Sequence, residues 1–254
     1  MSLADGSTMK QLDDAIKLMG KTGAGPRPND PFVVQAWIMS NVHAFLLTSL
    51  RHIYVTAPVI KRSDAPDFIG YALCWVEQVN LHHHIEDNWS FPYLKAALPT
   101  GAIEAEHNAL NPPLEAMQEY LLNCLPAGTK WGAFKKTVPA TSLGNPFEAD
   151  KLNSLIDAVA TVLVPHFCNE IDYLDAAKLR SKVGHDELTA MFTMLMSELG
   201  KLPKGVFVFE NMHTRSREFP PAPWFVTRIL LPWVFYWQDR RWWRFAPQQI
   251  FWDE

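Results

Sequence analysis

The sequence predicts an all-α protein, an antiparallel four-helix bundle carrying an additional helical extension at its C-terminal end. Three observations carry that expectation. Apolar residues recur at steps of three and four through four long segments. Strand-like alternation is hard to find, and the segments open at capping residues followed by proline. Four amphipathic helices in roughly 150 residues read as an antiparallel bundle. Residues 1–29 are read as an N-terminal segment, 30–183 as the bundle and 184–254 as an extension packed on it.

The first helix opens at Asp30-Pro31, runs to about Tyr54 with Met39, His43, Leu46, Leu47 and Leu50 on one face, and is closed by Ala57-Pro58. The second opens around Asp64-Ala65-Pro66 and runs to about Trp89. Its inward stripe reads Phe68, Tyr71, Trp75, Val79, His82, Glu86, Trp89. The third covers Ala102 to Leu122 with Ile103, His107, Leu110, Leu114, Met117 and Leu121 on one side, and Pro112-Pro113 are expected to kink or restart it at Asn111. An irregular connection from Leu125 to Asn145 follows. The fourth helix starts at Asn145-Pro146, carries Leu152, Leu155, Val159, Val162, Leu163, His166, Glu170 and Tyr173 inward, is kinked near Pro165 and ends at Gly184. One more helix, His185 to Leu199, precedes a tail in which six of the ten tryptophans fall within the last 31 residues.

Composition narrows the class. The chain has 254 residues, of which 48% are hydrophobic and 20% charged, which excludes intrinsic disorder. A net charge of -4 with no basic run argues against nucleic-acid binding, since phosphate neutralisation needs clustered Lys and Arg. Cys74, Cys124 and Cys168 are scattered and odd in number, so no disulfide framework is implied. The start has no apolar core of a secretory signal, and a cytoplasmic, reducing compartment is expected. The most apolar stretch, Pro223 to Trp237, is about 15 residues long with Arg228 inside it, short of the roughly 20 that a membrane span needs.

Chemistry enters with the histidines. His43, His82, His107 and His166 each fall on the apolar face of a different helix, and two of them carry a Glu at i+4, His82 with Glu86 and His166 with Glu170. Residues four apart share a helix face, so each pair projects into the core together. Burying two carboxylates in an apolar bundle is costly unless a cation compensates. Inward His and Glu from facing helices form the geometry of a di-metal carboxylate site. The metal ligands expected are therefore His43, His82, Glu86, His107, His166 and Glu170. His83, with Asp87 at i+4, offers a competing register. His83 and His84 are assigned to supporting or surface roles, and His52, His185 and His213 to none.

The order His43, His82-His83-His84-Ile85-Glu86-Asp87-Asn88-Trp89-Ser90-Phe91-Pro92, Glu106-His107 and His166-Phe167-Cys168-Asn169-Glu170-Ile171 resembles the hemerythrin-like (HHE cation-binding) domain over residues 30 to 183. The tail from Pro220 to Pro247, with Trp242-Trp243-Arg244-Phe245-Ala246-Pro247, is similar to the C-terminal extension of fungal members. The resemblance implies two irons inside the bundle, His43 and His82 on one, His107 and His166 on the other, with Glu86 and Glu170 as bridges. Zinc or manganese, or a single metal, are alternatives. The family pattern has a second His four residues after the third-helix His, where this chain has Asn111. On that pattern each iron keeps about two open positions of six, which favours catalysis over carriage.

The expected function is a non-haem metal-binding protein acting as an enzyme on a small organic molecule, as an iron oxidoreductase or a metal-dependent lyase or isomerase. No residue is assigned a catalytic role, although Trp75, Trp89 and Tyr173 would shape a pocket. Two other readings stand beside it: a dioxygen- or iron-binding or sensing protein without turnover, and a metal-free relict. The tail is expected to pack over the bundle. The competing readings for it are an interfacial membrane anchor and a lid.

Overall fold

The structure, a computed structural model, describes residues 5–132, 136–202, 204–205, 209, 219 and 223–247. His213, Trp252 and residues 220–222 of the tail lie outside the described residues. The protein is predominantly helical. The long helices are α1 (Asp5–Gly23), α2 (Val33–Thr56), α3 (Ala65–Ile85), α5 (Thr100–Asn123), α6 (Ala149–Tyr173) and α8 (His185–Leu199), with short α4 (Phe91–Leu94) and α7 (Ala176–Lys182) between them. Helix α2 packs on α3, α3 on α5, α5 on α6, and α6 back on α2, so these four enclose one interior.

The sequence reading left residues 1–29 without an element, and helix α1 occupies Asp5–Gly23 of them, lying against both α2 and α6. Leu12, Ala15, Ile16 and Met19 are its buried stripe. The consequence shows on α2, which is covered on several sides, from Trp37 through Phe45 and Leu46 to Tyr54. Among the described residues, the helical stretch Val33–Val59, and not the 223–237 stretch, is long and apolar enough to cross a membrane by length and composition, and most of it is buried inside the protein.

Local chemistry explains the boundaries. The Asp30 carboxylate accepts the amides of Phe32 at 2.9 Å and Val33 at 3.3 Å, satisfying donors that open α2. The expected cap at Asn145 is not used. Its amide donates to the Asn123 carbonyl at 2.7 Å, the chain stays extended through Glu148, and α6 starts at Ala149. The fourth segment is also two helices. The chain breaks after Tyr173, and Asp175 caps α7 by accepting the Lys178 amide at 2.9 Å. The connection expected to be irregular holds a short antiparallel hairpin, β1 (Lys130–Trp131) and β2 (Lys136–Thr137), with Lys130 opposite Thr137. Two-residue strands leave no alternation to read.

Pro112 and Pro113 do not restart α5, and α6 likewise continues through Pro165. The carbonyls that the α5 prolines free belong to Asn108 and Ala109, both exposed, so water replaces the lost hydrogen bonds. The tail supplies α9, residues 226–238, in which a π-helical run Val226–Phe235 continues into Tyr236–Gln238, followed by α10 (Arg240–Trp243). Trp242, Trp243 and Phe245 are buried in the main core. Trp242 lies so close to Gly70 of α3 that a Cβ there would meet the indole Nε1 at 2.5 Å, which is why α3 carries glycine at the docking point. A second apolar cluster, built from Phe32, Phe91, Leu94, Leu98, Ile103, Leu179 and Met191, gathers α4, the start of α5, α7 and α8.

Candidate metal centre

Within the interior enclosed by α2, α3, α5 and α6, seven ionisable side chains converge. His43 comes from α2, His82 and His83 from the end of α3, Glu86 from the turn after it, His107 from α5, and His166 and Glu170 from α6. All seven are buried, the most exposed being His83 at 8%. Their donor atoms form two groups, His43, His82, Glu86 and Glu170 in one, and His83, Glu86, His107 and His166 in the other, with atoms in each group within 4.8 Å of one another. Glu86 belongs to both.

The spacings are those of ligands around an ion. His43 Nε2 stands 3.1 Å from Glu170 Oε2 and 3.1 Å from His82 Nε2, which is itself 3.1 Å from Glu86 Oε1. Two donors each about 2.1 Å from a metal lie roughly 3.0–3.4 Å apart at octahedral to tetrahedral angles. On the other side His107 Nε2 is 3.7 Å from Glu86 Oε2 and 4.0 Å from Glu170 Oε1, and His166 Nε2 is 3.7 Å from Glu170 Oε2. The rings of His83 and His107 are 4.4 Å apart. Despite this proximity, both oxygens of Glu86 and of Glu170, and the Nε2 atoms of His83, His107 and His166, make no hydrogen bond. Buried polar atoms left this way are costly, and a shared cation could satisfy them.

What stands behind the imidazoles fixes how they point. His107 Nδ1 donates to Asp87 Oδ1 at 3.0 Å and His166 Nδ1 donates to Glu106 Oε2 at 3.0 Å. His43 Nδ1 donates to the Phe167 carbonyl at 3.1 Å, and its ring stacks on Phe167 with centroids 3.8 Å apart. In each case the proton sits outward on Nδ1 and the Nε2 lone pair faces the cluster. A histidine bound to metal is held by the same outward bond, which sets its tautomer. Glu106 also accepts from Asn169 Nδ2 at 2.8 Å and from the Tyr173 hydroxyl at 3.2 Å.

The electrostatics follow from burial. It drives the imidazoles of His43, His82 and His83 well below their ordinary range, with neighbouring histidines adding to the effect. Burial also raises Glu86 well above the carboxylate range, reinforced by Glu170, and pushes Glu170 up to about 7. Burial works upward on Glu106 as well, but the bonds from His166, Asn169 and Tyr173 together hold it below its usual value. Without a cation, burial favours neutral His43, His82 and His83 and protonated Glu86 and Glu170. A divalent ion reverses the second preference and keeps the first.

The structure brings together all six residues expected as ligands and adds His83, to which a supporting or surface role had been given. His83 lies among His107 and His166, while His82 next to it turns toward His43. Two adjacent histidines at the end of α3 thus serve the two groups. Asp87 had been noted only in the competing register with His83, and Glu106 and Asn169 had been given no role. His84 is exposed. Asn111 is exposed too and faces away from the cluster. The α5 stripe proceeds from His107 to Leu110 and Leu114, which turns position 111 outward. Asn111 therefore does not line the cluster, and His83 does. The three aromatics expected around a pocket have other partners. Trp75 donates to the Leu46 carbonyl at 2.9 Å, Tyr173 to Glu106, and Trp89 packs edge-on to His84.

Fold and site together define a mostly helical protein with buried His and Glu groups able to hold a metal ion. No family model matches the chain, and no solved structure does. Over 234 residues, 89% of this chain and 83% of the relative, it is 26% identical to the dimeric xanthone biosynthesis cluster protein R11 of Cryptosporiopsis sp. (strain 8999).

Proposed function

We propose that α2, α3, α5 and α6 form an antiparallel four-helix bundle of hemerythrin type holding two metal ions, iron by preference, and that the protein is an enzyme acting on a small organic molecule. The observation that carries the metal reading is the convergence of buried donor atoms from five histidines and two glutamates, among which the Nε2 atoms of His83, His107 and His166 and all four carboxylate oxygens make no hydrogen bond. His43 and His82 would hold one ion, His83, His107 and His166 the other, with Glu86 and Glu170 between them. Imidazole and carboxylate donors suit iron, and zinc or manganese fit the same set less selectively. Such a pair supplies Lewis acidity and, for iron, redox chemistry toward dioxygen or an organic substrate.

The chain's own part is to keep that chemistry directed. Asp87, Glu106 and the Phe167 carbonyl hold protons on the Nδ1 atoms and leave Nε2 free to bind. The apolar clusters on either side exclude water. Support for a small organic substrate comes from the relative, which is named for a dimeric xanthone biosynthesis cluster. A second reading, binding of dioxygen or iron without turnover, is favoured by His83, which fills a position that Asn111 would have left open.

The test is elemental analysis of the protein as purified and after reloading with ferrous iron. About two ions per chain are expected, as in di-iron carboxylate bundles. A chain that carries no transition metal and takes none up on reloading would overturn the proposal.

A further inference from the structure

Helix α9 is apolar on two sides. Its inner side places Leu231, Phe235 and Tyr236 against the main core. Its outer side exposes Phe225 at 53%, Ile229 at 46%, Trp233 at 73%, Val234 at 39% and Trp237 at 55%. The stripe advances by four residues per turn because the helix is wound in the π form through Val226–Phe235. Pro232 sits in that run, and a proline cannot donate the bond that a tight α-turn requires there. The wider turn lines up Phe225, Ile229, Trp233 and Trp237 along one exposed edge. A soluble surface rarely carries a contiguous apolar strip of this kind without a partner.

The strip's surroundings say which partner. Residues 223–247 contain four arginines and one aspartate, in a chain whose net charge is -4. The Arg240 guanidinium lies 4.8 Å over the Trp237 ring, and that of Arg241 lies 4.1 Å over Trp242. Lys204 stands over Phe235, while Arg244 is committed to Asp64 and Asp67 and Arg241 donates to the Lys130 carbonyl at 3.1 Å. Exposed tryptophans flanked by arginines match the interface of a bilayer, where rings sit at headgroup depth and cations meet anionic lipid. A second copy of the chain across a two-fold axis would set arginines against arginines. We propose that the outer face of α9 docks on an anionic membrane surface, with Trp233 and Trp237 as the inserted anchors and Arg240 beside the headgroups.

The inference does not rest on the metal reading. Its test is co-sedimentation of the full chain with vesicles of phosphatidylcholine plus phosphatidylserine, and with phosphatidylcholine alone, at low and high salt. The expected result is pelleting with the anionic vesicles at least about tenfold tighter than with the neutral ones, weakened by salt, and lost when Trp233→Ser and Trp237→Ser are combined. Ile229→Glu serves as a second variant if the double one melts lower than the parent. Protein that stays in solution with both vesicles would overturn the proposal, as would variants that pellet like the parent. A parent that dimerises in solution, and that these substitutions make monomeric without any vesicle binding, would assign the face to a second copy instead.

Discussion

The two halves of the His and Glu cluster share Glu86 but differ in what stands behind them. On the side of His83, His107 and His166, two imidazoles lean on carboxylates, His107 on Asp87 and His166 on Glu106. On the side of His43 and His82, the bond behind His43 goes to a peptide carbonyl, that of Phe167. A carboxylate behind an imidazole raises its basicity more than a neutral carbonyl does. On the proposed metal reading, the three-histidine half would be the stronger site and the two-histidine half the more exchangeable one. The same side-chain type becomes two different ligands through its second partner.

The largest effect separates the halves outright. His83→Ala is expected to cost the three-histidine half, and His43→Ala the two-histidine half, so each variant keeps about one ion of two by elemental analysis. The ions they retain should leave at different rates to a chelator, more slowly from His43→Ala. Equal rates would erase the distinction. Next, Glu106→Gln keeps the size of the side chain but removes the charge behind His166. A roughly 10–100-fold loss of affinity is expected for the stronger site alone, measured by competition with a chromogenic chelator.

Acidity sharpens the contrast between loaded and stripped protein. In stripped protein the raised Glu170 contributes stability fully below its ordinary 4.5, and that contribution fades as pH climbs through about 7. The depressed His43, His82 and His83 contribute above their ordinary 6.5, and their share is lost as pH falls toward their lowered values. No pH satisfies both sets. Metal needs anionic carboxylates and neutral imidazoles, so the rise in melting temperature that it confers should grow from about pH 5 to about pH 8. An increment that stays flat over this range would deny that these groups are the ligands. The smallest effect is expected at Asn111→Ala, within about 0.5 kcal/mol of the parent and with unchanged metal content, because that side chain is exposed.

Much of the site was legible because a helix obeys a period. His43, His107 and His166 each continue an apolar stripe, and Glu86 and Glu170 repeat at i+4, so sequence spacing alone put six groups on inward faces. His83 was not legible for the same reason. Two adjacent helical residues are about 100° apart, and a single-face reading has to choose one of them. Both enter here because the cluster spans the gap between α2 on one side and α5 with α6 on the other. Asn111 misled in the opposite sense, since a family spacing pointed inward where the stripe itself had moved to Leu110. Helix α1 was missed because its stripe of Leu12, Ala15, Ile16 and Met19 is short and lacks a clear capping signal. The hairpin within residues 125–145 and the break before α7 depend on which groups accept a few backbone amides, and periodicity is silent on those.

The central claim, that a cation balances Glu86 and Glu170, is tested most directly by the sign of one substitution in two states. Glu86→Gln should lower the melting temperature of metal-loaded protein, by roughly 6–12 °C if about 3 kcal/mol of linkage is lost. In chelator-stripped protein the same change removes a buried acid with no counter-charge and should raise the melting temperature. Opposite signs in the two states are the predicted result. A shift of the same sign and size in both would show that Glu86 faces no ion, and would contradict the account.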